Sequence, residues 1–184
     1  MTRSLHSLKH EHRIIERVLR ALDGICARLE WGQHVPPAVL SQIVDFIGAF
    51  ANHYHHGKEE DYLFPILRRH GLAHGGGPLG AIEREHRIES ELTKEMIYAI
   101  EGYRDLDPAA RELFVDAARR YSSHLLTHMD KEEAILFRLA DEIIDDQDKA
   151  ALSEGFTQAS VNLGAGAREK YDEVASELER EWAL

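Results

Sequence analysis

The sequence predicts an all-α fold, an antiparallel up-down-up-down four-helix bundle that is followed by a short helical C-terminal extension. Two observations indicate this fold. Apolar residues recur at steps of three and four along the segments, which is the period of a helix with one buried face. Proline and glycine separate these segments cleanly, and no segment between the breaks alternates apolar and polar residues as a strand does. Four long helices with short connections favour a bundle.

The first segment has the clearest helical period. Its apolar stripe includes one histidine and runs through Leu5, Leu8, His12, Ile15, Leu19, Leu22, Cys26 and Leu29. This stripe predicts a helix that buries His12 together with its apolar neighbours. Pro36 and Pro37 then separate this helix from the second, and a glycine-rich stretch, residues 71–78, separates the second helix from the third.

The fourth segment opens on Asp107 and Pro108, residue types that suit the N-cap and the first position of a helix. Its stripe is polar in the middle and runs through Phe114, Ala117, Tyr121, His124, His128, Glu132, Ile135 and Leu139. Burying imidazoles and a carboxylate is costly unless they have partners. We therefore expect the polar residues of this stripe to belong to a shared site.

Composition excludes several classes of function. The 184 residues carry 22 Lys and Arg against 33 Asp and Glu, a net charge of −11, which disfavours binding to a nucleic-acid backbone. No apolar run approaches the ~20 residues of a membrane span. The charged N-terminus lacks the apolar core of a signal peptide, and Cys26 is the single cysteine. We expect a soluble cytoplasmic protein that binds neither nucleic acid nor membrane.

The chain divides into a predicted metal-binding bundle, residues 1–144, and a helical extension, residues 145–184. The extension contains a helical stripe that runs through Ala167, Tyr171, Val174, Leu178 and Trp182. Three interpretations of this stripe are open. The extension caps an end of the bundle, shields the site, or forms a contact in a homodimer.

The bundle contains an internal repeat of one helix pair. The tetrapeptide Glu-His-Arg-Ile occurs at residues 11–14 and again at residues 85–88. HHGKEEDYLF, residues 55–64, aligns with HMDKEEAILF, residues 128–137. The two motifs are separated by nearly the same distance in each copy, 43 positions from His12 to His55 and 42 from His86 to His128. Both motifs therefore belong to one duplicated unit.

The second helix allows two registers for a histidine and a glutamate four positions apart, His55 with Glu59 or His56 with Glu60. The repeat favours the first register, because Met129 stands at the position of His56 in the other copy. The alternative register stays open.

Six residues then form a candidate metal site: His12, His55, Glu59, His86, His128 and Glu132. Residues four apart lie on one face of a helix. Imidazole and carboxylate together suit iron, manganese or zinc, and a carboxylate can bridge two ions. The pattern predicts a dinuclear site at the centre of the bundle. The alternative is a set of buried polar residues that bind only one another.

These motifs resemble the hemerythrin-like family of HHE cation-binding domains, over about residues 4–144. The resemblance implies a non-haem centre of two iron ions that are joined by carboxylates and an oxo or hydroxo bridge, with zinc as the alternative metal. His12, His55, His86 and His128 would be terminal ligands. Glu59 and Glu132 would be the bridging carboxylates.

The sequence departs from the oxygen-carrying hemerythrins in one respect. Those proteins have a second histidine four positions from the first on the third helix, whereas Ile82 and Ser90 flank His86 here. Either His124 or Glu89 is a candidate for the missing ligand. We interpret the remaining histidines as solvated or loop residues, namely His6, His10, His34, His53, His56, His70 and His74. Lys58 and Lys131 are predicted to form surface ion pairs.

The resemblance implies a protein that binds dioxygen or a related small ligand as a carrier, store or sensor. One alternative is a di-iron enzyme that processes hydrogen peroxide or nitric oxide. Another is a redox-inert structural or storage protein for zinc or iron. Binding without turnover is favoured, because the sequence shows no dedicated general acid or substrate pocket.

Overall fold

The fold was analysed in a computed structural model that describes residues 2–72, 76–104 and 107–184. Within these residues the chain is all-helical and forms six continuous helices: α1 (Arg3–Glu30), α2 (residues 37–69), α3 (Gly77–Arg104), α4 (residues 108–143), α5 (Asp146–Leu163) and α6 (Ala167–Trp182). The all-α class predicted from the sequence is confirmed. The antiparallel up-down-up-down order of the first four helices stays a prediction. Residues 73–75 of the glycine-rich stretch lie outside the described residues.

Helices α2 and α4 each change their hydrogen-bond pattern along their length. Within α2, α-helical Pro37–Phe46 is followed by π-helical Ile47–His55, a short α-helical segment His56–Lys58, a second π segment Glu59–Leu63, and α-helical Phe64–Arg69. Within α4, Pro108–Lys131 is followed by the π segment Glu132–Leu136 and then by Phe137–Ile143. The segments that begin at Glu59 and Glu132 occupy equivalent positions in the repeat. Such π turns often occur at functional sites.

The π turn of α4 explains where the predicted stripe is wrong. The α-helical period places Ile135 on the buried face, but this side chain is 50% exposed, and Leu136 and Phe137 are buried instead. A π turn contains more residues than an α turn, so the buried face moves along by one position. A proline inside a helix normally kinks or ends it, and α2 contains Pro65. The helix continues through it to Arg69, because Pro65 lies in the first turn of a new α-helical segment, where its missing N–H costs little.

The predicted buried stripe of α1 and the predicted start of α4 are confirmed. Every residue of the predicted α1 stripe is buried, and Thr2 caps the helix by accepting a hydrogen bond from the Leu5 N–H. Asp107 caps α4 and accepts from the Ala109 N–H, with Pro108 at the start of the helix. Local sequence therefore determines where these helices begin and which face of α1 is buried.

The buried apolar residues form two clusters with a polar layer between them. In α1, Leu5 and Leu8 belong to one cluster, and the other begins at Ile14. In α2 the clusters are separated between Tyr54 and Leu63. The same gap occurs in α3, between residues 82 and 92, and in α4, between residues 129 and 136. The histidines and glutamates of the repeat lie in this gap, so apolar side chains enclose them on two sides.

The C-terminal extension packs on its own bundle. Helix α6 lies along α1, where Arg28 donates to the main-chain carbonyl of Trp182. Helix α5 lies against α2, and the hydroxyls of Tyr54 and Ser160 are 3.0 Å apart. The extension thus covers one side of the bundle, while the homodimer contact stays a prediction. Among the described residues, no helix combines the length and apolar character needed to cross a membrane.

Gly155 controls the close approach of α5 to α2. A Cβ atom at this position would lie 2.2 Å from the ring of Tyr62, whereas a Cβ at Gly48 in α2 would meet nothing within 4 Å. We expect Gly155→Ala to lower the free energy of unfolding by about 1–3 kcal/mol, because the helices must separate to admit the methyl group. Gly48→Ala is the matched control and should be neutral or stabilising by up to ~1 kcal/mol. Urea denaturation checks both values, and equal stabilities of the two variants would contradict the packing argument.

Candidate metal centre

The six sequence-predicted residues come together in the polar layer. Each of them is buried, and each of the first four helices contributes at least one: His12 from α1, His55 and Glu59 from α2, His86 from α3, and His128 and Glu132 from α4. Glutamate is almost never fully buried without a partner, and burying an imidazole costs free energy unless it is hydrogen-bonded. The arrangement therefore requires either mutual hydrogen bonds or a bound cation.

Glu132 lies between histidines from opposite sides of the site. One of its carboxylate oxygens is 3.3 Å from His12 Nε2, and the other is 3.2 Å from His128 Nε2. Glu59 is placed similarly, with Oε2 3.4 Å from His86 Nε2. The imidazole nitrogens also approach one another, since His12 Nε2 and His55 Nε2 are 3.0 Å apart. These distances show that the nitrogens and oxygens surround one common space at the centre of the polar layer.

The potential ligand atoms form two overlapping groups of four. His12 and His55 form one group with Glu59 and Glu132, and His86 and His128 form another with the same two carboxylates. Within each group the atoms lie within 4.8 Å of one another. We call the side with His12 and His55 the His12 half, and the side with His86 and His128 the His86 half. The two carboxylates shared by both halves match the arrangement that bridging of two ions requires.

His56 belongs to the His86 half, which corrects its interpretation as a solvated residue. Its side chain is buried, its ring stacks on His86 with centroids 3.9 Å apart, and its nitrogen groups with those of His86 and His128. Successive residues of a helix diverge by about 100°, so His55 and His56 reach different halves. Of the two registers, the structure buries Glu59 in the cluster, whereas Glu60 is half-exposed.

Carboxylates outside the centre hold the outer nitrogens of two histidines. His12 Nδ1 is 3.0 Å from Glu133, and His86 Nδ1 is 2.7 Å from Glu60. Glu133 and Glu60 directly follow the two shared glutamates, so these contacts are equivalent in the repeat. Because a carboxylate accepts, Nδ1 donates, and the lone pair of Nε2 in the neutral ring faces inward.

A second pair of carboxylates holds the other two histidines of the repeat. His55 Nδ1 is 3.0 Å from Glu11, and His128 Nδ1 is 3.0 Å from Glu85. Glu11 and Glu85 are the glutamates of the Glu-His-Arg-Ile tetrapeptides. Sequence reasoning missed the four outer carboxylates, although their duplication in the repeat was a signal that could have identified them.

The equivalent lysines of the repeat have different environments. Lys58 pairs with Glu11 and Lys131 with Glu85. The Lys131 side chain is 44% exposed, as predicted for a surface pair, but Lys58 is only 1% exposed, so its predicted surface position is wrong. The ammonium group of Lys58 lies 4.7 Å from the ring of Phe156 in α5. The extension therefore buries one lysine and leaves the other in water.

Of the two candidates for an additional ligand, Glu89 is the one that is buried beside the centre. His124 Nδ1 is 2.9 Å from Glu89 Oε1, and the His124 side chain is 27% exposed. Glu89 is fully buried, and its other oxygen lies 3.5 Å from His56 Nε2. Neither His124 nor Glu89 belongs to the groups of potential ligand atoms found in the described residues, but only His124 is partly exposed. It therefore links the buried carboxylate to the surface.

The centre contains a concentration of unpartnered polar atoms. Among the described residues, several buried atoms have no hydrogen-bond partner: Nε2 of His56, His86 and His128, Oε2 of Glu89, and both carboxylate oxygens of Glu59 and Glu132. Buried polar groups normally have partners, and each exception requires an explanation. Imidazole nitrogens and carboxylate oxygens are ligands that iron, manganese and zinc accept. These residues therefore fit a metal centre better than a self-contained hydrogen-bond network.

Protons carry the positive charge of the cluster when cations are absent. Burial lowers the pKa of His12, but the neighbouring carboxylates of Glu132 and Glu133 outweigh burial and raise it to about 9. Burial also lowers the pKa of His128, but the neighbouring carboxylate of Glu132 outweighs burial and raises it to about 10. Burial, together with the charge of Glu132, raises the pKa of the Glu59 carboxyl group to about 7.

These shifts predict that the metal-free protein loses stability in alkaline solution. A histidine whose folded-state pKa exceeds its unfolded value of about 6.5 stabilises the fold fully below that pH. This contribution disappears as pH rises through the folded values, about 9 for His12 and about 10 for His128. We expect the melting temperature of metal-free protein to fall between pH 7 and pH 10, and saturating Zn²⁺ to reduce the fall.

Cys26 requires a control in the same experiment. Burial raises the pKa of its thiol to about 12, so ionisation of the unfolded thiol also favours unfolding above its ordinary pKa. Cys26→Ala removes this contribution and should keep most of the alkaline decrease. A melting temperature that is constant from pH 7 to pH 10 in this variant would contradict the assignment to the histidines.

Similar proteins occur among the curated sequences of mycobacteria. An uncharacterized protein of Mycobacterium bovis (strain ATCC BAA-935 / AF2122/97) is 24% identical over 130 residues, which are 71% of this chain and 50% of the relative. Uncharacterized proteins of two Mycobacterium tuberculosis strains, H37Rv and CDC 1551 / Oshkosh, match with the same identity and coverage. The chain thus spans about half the length of these relatives. No solved structure shows significant similarity to it.

One protein-family model matches most of the chain. The model of the hemerythrin HHE cation-binding domain matches residues 3–140. The match includes α1, α2, α3 and α4 up to residue 140, whereas α5 and α6 lie beyond it. The chain therefore belongs to the hemerythrin HHE cation-binding domain family.

Proposed function

We propose that this protein holds two iron ions in the candidate centre and binds dioxygen or a related small ligand there, as a carrier, store or sensor. The observation that supports this proposal best is the pair of four-residue donor groups that share Glu59 and Glu132. When bound, iron supplies exchangeable coordination positions and the electrons for binding dioxygen. An oxo or hydroxo bridge between the ions is part of the proposal.

The proposed ligands are unequally divided between the two ions. His12 and His55 would hold one ion, and His56, His86 and His128 would hold the other, with Glu59 and Glu132 shared by both. His56 would supply the imidazole that the third helix lacks. An ion in the His12 half would have fewer protein donors and therefore more positions for a small ligand.

The surrounding residues orient the ligands and exclude water. Glu133 and Glu11 hold the outer nitrogens of His12 and His55, so neither ring can rotate freely. Phe137 stacks on His12 and Phe64 on His86, with ring centroids 5.6 and 5.7 Å apart. Both rings belong to one apolar cluster, so they exclude water from that end of the centre, which strengthens its internal electrostatic interactions and limits side reactions.

The contact between His124 and Glu89 favours a second candidate function, turnover of hydrogen peroxide or nitric oxide. Turnover of peroxide requires protons, and His124 is a titratable side chain that connects the surface with a buried carboxylate beside the centre. A zinc protein without redox activity is the third outcome, because the same donor types accept zinc.

The first experiment loads the metal-free protein anaerobically with Fe²⁺, exposes it to air, removes the oxygen, and records the optical spectrum at each step. A visible band that appears with air and reverses supports binding. A stable ferric spectrum followed by sustained consumption of peroxide or nitric oxide supports turnover. Zinc in the purified protein, with no optical response after iron loading, would overturn both. His55→Ala should abolish the response, and His53→Ala, an exposed histidine on the same helix, is the matched control.

A further inference from the structure

The two halves of the centre differ at two positions of the repeat. His56 in α2 corresponds to Met129 in α4, and Glu89 in α3 corresponds to Ile15 in α1. Both polar members of these pairs are found on the same side. The His86 half therefore contains an imidazole and a carboxylate for which the His12 half has only apolar equivalents.

Glu89 has one oxygen that its surroundings leave unused. Its Oε1 accepts a hydrogen bond from His124 Nδ1 at 2.9 Å, whereas Oε2 is buried and has no partner among the residues that the structure describes. This oxygen lies 3.5 Å from His56 Nε2, a buried nitrogen that also has no hydrogen-bond partner among the described residues. Two donors at about 2.1 Å from one ion lie roughly 3–3.5 Å apart when they are adjacent. The separation therefore suits two ligands of one ion.

We propose that Glu89 is an additional, unshared carboxylate ligand of the metal ion in the His86 half, and that His124 holds it in position. This inference rests on the proposed function, since it adds a residue to the same centre. The ion in the His86 half then has three imidazoles, two shared carboxylates and one carboxylate of its own. The ion in the His12 half keeps two imidazoles and the shared carboxylates, so a small ligand is directed to that half.

A simple buried ion pair explains Glu89 less well. His124 is 27% exposed and can be hydrated without Glu89, so it does not require a buried partner. The oxygen that faces away from His124 gains nothing from that contact, and a buried unpaired carboxylate oxygen is costly. A cation in the His86 half removes this cost. It also explains why the carboxylate lies beside His56 and not on the surface.

Cobalt(II) tests the proposal without any assay of activity, because its visible d–d bands intensify as the coordination number falls. Wild type and Glu89→Gln are titrated with Co²⁺ while the bands and the two affinities are recorded. We expect Glu89→Gln to intensify the bands and to lower the affinity for one of the two ions at least about tenfold. The affinity of the other ion should be unchanged. His124→Asn should lower the affinity for the same ion, with little change in the intensity of the bands.

The outcomes separate this inference from the proposed function. A wild type that binds no Co²⁺, or a single ion, contradicts the dinuclear centre itself. A wild type that binds two ions, with identical bands and affinities in Glu89→Gln, overturns only the role of Glu89. If circular dichroism shows that Glu89→Gln is unfolded, Glu89→Asp is measured instead. The shorter carboxylate should also intensify the bands, and an unchanged spectrum would overturn the proposal.

Discussion

Replacing Glu132 with glutamine is expected to abolish binding of both metal ions, whereas His56→Gln should remove only one. The carboxylate oxygens of Glu132 lie 3.3 Å from His12 Nε2 and 3.2 Å from His128 Nε2, so this residue faces both halves of the centre. His56 groups only with His86 and His128. A neutral amide removes the negative charge that both cations require, while the loss of His56 leaves the His12 half intact.

Metal analysis after dialysis measures this difference directly. Wild type should retain two ions per chain, His56→Gln one, and Glu132→Gln almost none. His53→Gln is the control, since His53 is an exposed histidine three positions before His56 on the same helix. If Glu132→Gln retained one ion while His56→Gln retained two, the shared role of Glu132 and the assignment of His56 would both be wrong.

Lys58→Met should destabilise the protein far more than Lys131→Met, although the two lysines are equivalent in the repeat. Lys58 is buried against Glu11, and removing it leaves the buried carboxylate without its compensating cation, a change that typically costs about 3–5 kcal/mol. Lys131 pairs with Glu85 at the surface, where such pairs contribute about 0–1 kcal/mol. For a chain of this size, the buried substitution should lower the melting temperature by about 6–20 °C.

Thermal unfolding of the two variants in parallel tests this expectation. Lys58→Met combined with Glu11→Gln should recover part of the lost stability, because the second substitution removes the unpaired charge. Similar melting temperatures for Lys58→Met and Lys131→Met would show that the burial of Lys58 contributes nothing to the stability of the fold. Methionine retains most of the length of the lysine stem, which limits the effect of lost packing.

The different environments of the lysines reflect the C-terminal extension. Phe156 of α5 lies over the Lys58 ammonium group, and Ser160 contacts Tyr54. On the other side, a groove of about 570 Å³ is open to solvent beside His124 and Lys131. Helix α5 lies beyond the part of the chain that the family model matches. The centre is nearly symmetric, but α5 shields the side with Lys58 from water and leaves the side with Lys131 exposed.

The sequence by itself determined the all-α class, the buried face of α1 and the start of α4, because these depend on local signals. Helical periodicity and the caps at Thr2 and Asp107 act within a few residues. The duplicated motifs also predicted which six residues meet. Their convergence is observed, and their role as metal ligands stays a proposal.

Only the tertiary structure decided the places of His56, Lys58, Glu89 and Ile135. The π turns of α2 and α4 change the number of residues in a turn, and an α-helical period read along the sequence does not register that change. Burial of Lys58 depends on α5, about a hundred residues away in the chain, whereas the equivalent Lys131 has no such cover in the described residues and is 44% exposed. Identical local patterns thus acquired different environments, because burial is a property of the packed helices.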